Sequence, residues 1–376
     1  MERYQKTDPT AGNEIPNGEV LTAAQLERKS QMLWEKFILL IENLINSNPN
    51  FDEEVKQFFL KNHLNPNLHS PDWHRYDISI HIKMVHYHIE RYLKYFKSIK
   101  LYLESEKNIV LQSKIQKILE RSAGRTNIES LFKHFAAWGH DLGKYAGSFQ
   151  KVDKNGNKVY TSFQMNQDES VVVNYPSLSF SGHEKISGEV ILNSQGLAYY
   201  LLSEKIKSTV PLNGEEIKVI ADLSRFHFEL GILRNIGKKH NGGILKYVES
   251  EKFKEDLLAI FKDPEKRVYA LEIILFFIAD NEAKLTKKDK EIIMNPLSNL
   301  GRPYTQEDID RQEGNVKKYL NNEIESQRKK GVSEDKITSH KLVNAILQYP
   351  QNLIIFRKAL KIWDESTDEN GNLVLN

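Results

Sequence analysis

The sequence predicts an all-α protein. Three observations carry that prediction. Apolar residues recur at the helical period through most of the chain. Capping signals of the Ser/Thr-x-x-Glu/Gln kind precede several of those stretches. Strand-like patterning is confined to one short region near residues 150–180.

The elements follow in order. Residues 1–20 carry Pro, Gly, Asn and Thr without periodicity and read as a loose tail. A helix starts at Thr22, where Thr22 and Gln25 make a capping pair, and Leu26, Leu33, Phe37, Leu40, Ile41 and Leu44 form its stripe. The polar run 46–50, with Pro49, ends it. A short helix over about 52–62 and the segment Asn65-Pro66-Asn67 close an N-terminal extension, 1–65. The next helix covers about 77–104, with Ile78, Ile82, Val85, Ile89, Leu93 and Phe96 on one face. Another runs from about Asn127 to Leu142. Thr126 and Glu129 cap it, and Gly143 is suited to end it.

Residues 150–180 break the pattern. Asn155-Gly156 lies between β-formers, a hairpin signal, and Val171-Val172-Val173 suggests a further extended piece. This small β-hairpin insertion is read as either a lid or a surface decoration. Helices resume at Ser181, capped by Ser181 and Glu184, and continue at about 214–229, 250–262 and 264–282. The last has Asp263 as N-cap and Pro264 at its first position. Beyond Lys290 the chain is charged, with helices near 305–328, 334–347 and 351–364 and a frayed tail. The expected organisation is an extension over 1–65, a central domain over 66–290 and a helical extension over 291–376.

Composition narrows the function classes. There is no cysteine, which excludes thiol catalysis, disulfides and Cys-ligated metal sites. A net charge of +2 gives no global pull toward nucleic acid or membrane. The first twenty residues hold no apolar core of a signal peptide, and the longest strongly apolar run, Ile273 to Ala279, is too short to span a bilayer. The expectation is a cytoplasmic protein with no membrane partner; the oligomeric state is not readable.

Six residues point to chemistry: His81, His140, Asp141, His183, His227 and Asp280. His140 and Asp141 are adjacent, so their side chains diverge by about 100° on a helix and meet one ion only where the helix ends. An aspartate near a helix C-terminus is disfavoured by the dipole, so Lys144 or a metal should compensate it. Histidine nitrogen with carboxylate oxygen suits Mn, Fe, Co, Ni or Zn rather than Ca, with Mg also compatible. His183 lies in the first turn of its helix, and Ser187 and Gly188 one turn on leave room for close packing. His227 continues the stripe Ile217, Ile220, Leu223, so it is expected to be buried. Asp280 follows Ile-Ile-Leu-Phe-Phe-Ile-Ala on a nearly all-apolar helix. A carboxylate there is costly unless it binds a cation or pairs with Lys284 at i+4.

In this order the residues resemble the HD-domain superfamily of metal-dependent phosphohydrolases. The pattern stands here as His81, His140-Asp141-Leu142-Gly143-Lys144, Gly182-His183-Glu184, His227 and Asp280, over about residues 70–290. Trp73-His74 before His81, with Gly182-His183-Glu184, is similar to the HD domains of tRNA nucleotidyltransferases. Gly143-Lys144 with Phe149-Gln150, His183 and Ser187 is similar to the HD nuclease of the CRISPR-associated helicase-nuclease. That nuclease usually has a His-His pair where this chain has Phe226-His227-Phe228. The resemblance implies an HD-domain helical bundle. It also implies one metal on His81, His140, Asp141 and Asp280, and a second on His183 and His227, with Asp141 bridging.

The function so implied is hydrolysis of a phosphate ester, of a nucleotide or related small molecule, through a binuclear metal-activated water, with one or two divalent transition metal ions as cofactors. Asp141 and Lys144 would be catalytic. Lys144 would also neutralise phosphoryl charge, and Arg225 is either a phosphate contact or a surface arginine. Asp77 either supports a ligand, acts as an acid–base group, or simply lies near its helix start. Two rivals remain. One is a single-stranded DNA or RNA nuclease with the same centre, using a stripe of Lys94, Lys97 and Lys100. The other is a non-catalytic protein in which the metal stabilises a scaffold.

Overall fold

Amphipathic helices dominate the computed structural model, which describes residues 23–69, 73–96, 108–164, 172–193, 212–337 and 342–374. They are α1 (Ala23–Ser47), α2 (Glu53–Asn62), α3 (Ile78–Phe96) and α4 (Asn108–Leu119). Helix α5 runs over 128–139 with a π-helical turn at Phe132–Ala136 and is followed by the short α6 (Leu142–Ala146). Then come α7 (His183–Asn193), α8 (Gly214–Phe226), α9 (Gly231–Lys239), α10 (Gly243–Val248) and α11 (Glu251–Ile260). The chain continues with α12 (Pro264–Val268), α13 (Ala270–Ala283), α14 (Lys287–Ser298), α15 (Gln306–Arg311), α16 (Glu313–Lys329) and α17 (Val343–Glu365). The fold is all-α with a small hairpin, and no described helix is long and apolar enough to cross a membrane.

Helix α13 organises the rest. Each of its residues, Ala270 to Ala283, is buried, because α3 and α17 pack against it. One apolar core extends from Phe37 on α1 to Trp363 on α17. A second gathers Leu285, Ile293, Leu297, Ile309, Val316, Leu320, Leu342 and Ile346. The main core thus draws on residues from both proposed extensions. Polar links tie α17 to the end of α13: Asn352 donates to Asn281 at 2.7 Å, and the Tyr349 hydroxyl donates to Glu282 at 2.5 Å.

Strands are short. β1 (Ser122–Ala123) pairs with β2 (Thr126–Asn127) just before α5. β3 (Phe149–Gln150) pairs with β6 (Leu178–Ser179), and β4 (Tyr160–Gln164) with β5 (Val172–Pro176), all antiparallel. The Asn155-Gly156 turn forms, closed by a Val152–Lys158 bridge and with Gly156 at φ 83°. The insertion rests on α2 through Phe58 against Tyr175 and Lys158 bonded to Asp52. It leads directly into α7.

Several expectations need correction. The helix into His140 is capped by Asn127, whose side chain accepts from Ser130, while Thr126 bonds to Glu216. Helix α7 begins at His183 rather than Ser181. Gly143 does not end a helix. The break comes at Asp141, with φ −106° and ψ 5°, and Gly143 lies inside α6. The two helices expected around 334–364 are a 3₁₀ turn at Glu334–Lys336 and the single helix α17. Pro350 forfeits one backbone bond inside α17, but Tyr349, Leu353 and Phe356 are buried on either side and hold the helix through it. Thr22 and residues 1–20 lie outside the described residues, as do 97–104 of the helix expected over 77–104.

Candidate metal centre

The site is built where α3, the α5–α6 break, α7, the end of α8 and α13 meet. The backbone first has to bring them together. Trp138 on α5 packs edge-on against Phe37 of α1, with ring centroids 4.9 Å apart. Asn48, just past α1, donates to the Tyr145 and Ser148 carbonyls at 2.9 Å each, which satisfies acceptors at the end of α6. Gly143 sits against α7: its amide donates to Ser187 Oγ at 2.9 Å, and a Cβ there would stand 2.1 Å from the His183 carbonyl oxygen. Glycine is what lets α6 touch α7. Gly188 plays the same part against α8, where a Cβ would meet the Ala221 carbonyl oxygen at 3.1 Å. The π turn in α5 lies one turn before His140, a distortion of the kind often found at functional sites.

All six predicted ligands converge. His81 Nε2 lies 3.0 Å from Asp280 Oδ1 and 3.5 Å from Asp141 Oδ2. His140 Nε2 is 3.5 Å from Asp141 Oδ2. His183 Nε2 is 3.1 Å, and His227 Nε2 3.9 Å, from Asp141 Oδ1. One carboxylate oxygen therefore faces His81 and His140, and the other faces His183 and His227. Ligand atoms fall into the groups His81–His140–Asp141 and Asp141–His183–His227, each within 4.8 Å of one another. The residues are buried except His183, whose side chain is 13% exposed.

The rings are held in one tautomer. Nδ1 of His140 donates to the Ala137 carbonyl at 2.9 Å, that of His183 to Phe180 at 2.8 Å and that of His227 to Ser224 at 2.7 Å. A carbonyl only accepts, so Nδ1 carries the proton and Nε2 presents a lone pair. Burial keeps two of these rings neutral: it pulls His140 down to about 4 and His227 to about 3. Burial pushes the Asp141 carboxyl up, but Lys144, His140 and His183 outweigh it and hold it well below the usual range. Asp280 is likewise held well below, by Lys284 and His81 against burial. The neutral lone pairs of His140 and His227 thus point at an ionised Asp141 carboxylate. Among the described residues, His140 Nε2 and Asp141 Oδ1 are buried without a hydrogen-bond donor, and each such group costs roughly 1–3 kcal/mol. A divalent cation fits this donor set, and orientation of Nδ1 by a backbone carbonyl is the usual support of a metal-bound histidine.

Lysines compensate the carboxylates as the dipole argument required. Lys144 Nζ lies 2.8 Å from Asp141 Oδ2, and Lys284 Nζ lies 2.5 Å from Asp280 Oδ2. The alternative reading of Asp280 as a salt-bridge partner is therefore realised on one oxygen, while the other faces His81.

The remaining candidates are placed less centrally. Arg225 is 3.6 Å from Asp222 and, among the described residues, makes no hydrogen bond or ion pair with the six. Asp77 caps α3, accepting from Ile80 N at 2.8 Å and Ser79 Oγ at 2.5 Å. Glu184 Oε1 lies 3.4 Å from His183 Nδ1. Of the Lys94–Lys97–Lys100 stripe, Lys97 and Lys100 fall outside the described residues.

Two further residues join the site without a sequence signal. His69 accepts from Lys144 Nζ at 2.9 Å and donates to the Tyr76 carbonyl at 3.1 Å. Arg234, with a buried Nε and no ion pair among the described residues, lies over Trp73 and feels the charge of Asp280. His69 has no periodic segment to flag it, and Arg234 lies on a helix the pattern does not resolve.

Comparisons with protein-family models, curated proteins and solved structures gave no match to this chain.

Proposed function

We propose that the protein is a metal-dependent phosphohydrolase of the HD type, cleaving a phosphate ester of a nucleotide or related small molecule. The observation that carries the reading is the division of the Asp141 carboxylate between two histidine groups, which suits a bridging ligand between two ions. When bound, such ions polarise phosphoryl oxygens and lower the pKa of a water to near neutrality.

Charge favours an anionic substrate. The two carboxylates are paired with Lys144 and Lys284. Each divalent ion then adds two positive charges to a buried site, and a phosphate is a natural counter-charge. Lys144 is suited to donate from its ammonium to a phosphoryl oxygen while His69 holds it in place. Arg234, and Lys238 one turn along α9, both lie over the Trp73 ring, and extend positive charge outward from Lys284. Cation–π contact uses the face of the planar Arg234 guanidinium and leaves its edge N–H donors for phosphate.

The near-neutral net charge favours a small substrate over a nucleic acid. The test is a panel of nucleotides, cyclic nucleotides, simple phosphate esters and single-stranded oligonucleotides with Mn, Co or Ni. Hydrolysis of a mononucleotide or ester, abolished in Asp141→Ala, is expected. Cleavage of oligonucleotides alone would replace this reading by the nuclease, and a folded protein that takes up no metal would remove both.

A further inference from the structure

We infer, resting on the metal reading above, that His74 is an additional ligand of the centre. It completes the position built on His81 and Asp280, and leaves the position built on Asp141, His183 and His227 as the open one.

His74 is buried, 6% exposed, and among the described residues neither ring nitrogen has a hydrogen-bond partner. Its ring stacks on His69 with centroids 3.6 Å apart and meets His81 edge-on at 4.7 Å. One ligand atom each from His74, His81 and Asp280 lie within 4.8 Å of one another. Donors about 2.1 Å from a metal ion stand roughly 3.0 Å apart in octahedral and roughly 3.4 Å apart in tetrahedral geometry, so a small inward movement gathers these three around one ion.

An orphaned buried histidine is not by itself a site, and His88 shows why. It is 4% exposed with both nitrogens unpartnered, on the same helix as His81. Its ring neighbours are Tyr87 and Tyr92, and it joins no group of convergent ligand atoms among the described residues. Convergence, rather than burial, singles out His74.

The ring is also fixed in advance. His69, against which it stacks, is pinned by the Tyr76 carbonyl and by Lys144. The next residue, Arg75, donates its amide to the Lys284 carbonyl at 2.8 Å, one turn from Asp280. His74 is thereby held against α13, the helix that carries Asp280.

The two positions then differ in kind. One draws on His74, His81, His140, Asp280 and an oxygen of Asp141. The other has Asp141, His183 and His227, and three protein donors leave room for water and substrate. His183 is the most exposed of these ligands, so the phosphate enters on its side.

The test uses the full-length protein with cobalt(II) as the probe. Binding is followed by calorimetry and by visible absorption for wild type, His74→Gln, His183→Gln and His88→Gln, with folding checked by circular dichroism. Wild type should take up two ions. His74→Gln should weaken one by about 100-fold, in line with the sensitivity of metal sites to their ligands and supports. His183→Gln should weaken the other, and His88→Gln should match wild type. If His74→Gln binds both ions with wild-type affinity and spectrum, His74 is not a ligand. Should that variant not fold, hyperfine-shifted imidazole N–H resonances of cobalt-loaded wild type decide: five support His74, four exclude it. Wild type that binds no cobalt would instead overturn the metal reading itself, and this inference with it.

Discussion

Replacing Gly143 by alanine probes the site through its backbone. The added Cβ would stand 2.1 Å from the His183 carbonyl oxygen, 2.7 Å from Ser187 N and 2.9 Å from Ser187 Oγ. Two of these are backbone atoms, so no side-chain rotation relieves the clash. Restoring van der Waals contact requires α6 and α7 to part by roughly 1.3 Å. Overpacking of this kind costs about 1–3 kcal/mol. The Gly143 amide bond to Ser187 Oγ is lost as well, at about 1 kcal/mol. Together these lower the melting temperature by roughly 2–5 °C in a chain of this size. The shift also carries Asp141 away from His183, now 3.1 Å apart, whereas metal sites tolerate only about 0.2 Å. Metal affinity should therefore fall by about tenfold or more. Thermal melts with and without Mn or Co, and competition with a coloured chelator, measure both effects. Gly156→Ala is the control: it strains a turn with φ 83° and open space around it, so affinity should hold. A Gly143→Ala protein with wild-type melting and affinity would refute the claim that glycine sets the spacing of these helices.

Other consequences are checked more simply. Metal should stabilise the fold by about 4 kcal/mol at a free concentration roughly 1,000 times its Kd, and chelation should remove that gain; a melting curve indifferent to both would count against the centre. Metal-free protein should lose stability as pH falls from about 6.5 toward 4. His140 and His227 have folded pKa values below their ordinary 6.5, so their contribution is whole above 6.5 and is lost as they protonate. For His140 the gap between 6.5 and about 4 corresponds to roughly 3 kcal/mol, and a flat stability profile over that range by denaturant titration would contradict the burial of neutral rings. Arg75→Met should cost about 3 kcal/mol, because it strands Asp289, which is fully buried, and removes a 2.9 Å contact to Glu323. Urea unfolding measures it, and a change below about 1 kcal/mol would mean that Asp289 is satisfied by Tyr319 and Thr286 alone.

The ligands are legible in the sequence because each breaks a local rule. Asp280 stands in an apolar run and His227 in an apolar stripe, and both prove buried. Their convergence is not legible from periodicity, since the residues span about 200 positions; only the resemblance supplies the grouping. Gly143 misleads for the same reason. Its role is a contact with residues 183 and 187, and local rules see only a helix stop. Pro350 suggests two helices where tertiary burial sustains one. Helix α14 escapes the pattern because its sequence is charged and contains Pro296, although Ile293 and Leu297 are buried beneath it. Lys284 enters the sequence reading only as the rival to a metal, and it does bind Asp280.

Lysine and metal are not equivalent explanations, although a site built only of salt bridges would also bury two aspartates. The lysines answer one oxygen of each: Lys144 reaches Asp141 Oδ2, and Lys284 reaches Asp280 Oδ2. They do not reach Asp141 Oδ1, which faces His183 and His227, nor His140 Nε2. Protonation of His140 or His227 would supply a donor, but burial lowers the pKa of these two rings to about 4 and about 3. Nor does a simple structural purpose account for them. A carboxylate oxygen facing imidazole lone pairs is repulsive, and apolar side chains of similar size would be more stable there. A divalent cation, able to accept several lone pairs at once, fits this donor set. Asp141 Oδ1 lies on the side of His183, the most exposed of the six residues, and the proposed substrate would enter there.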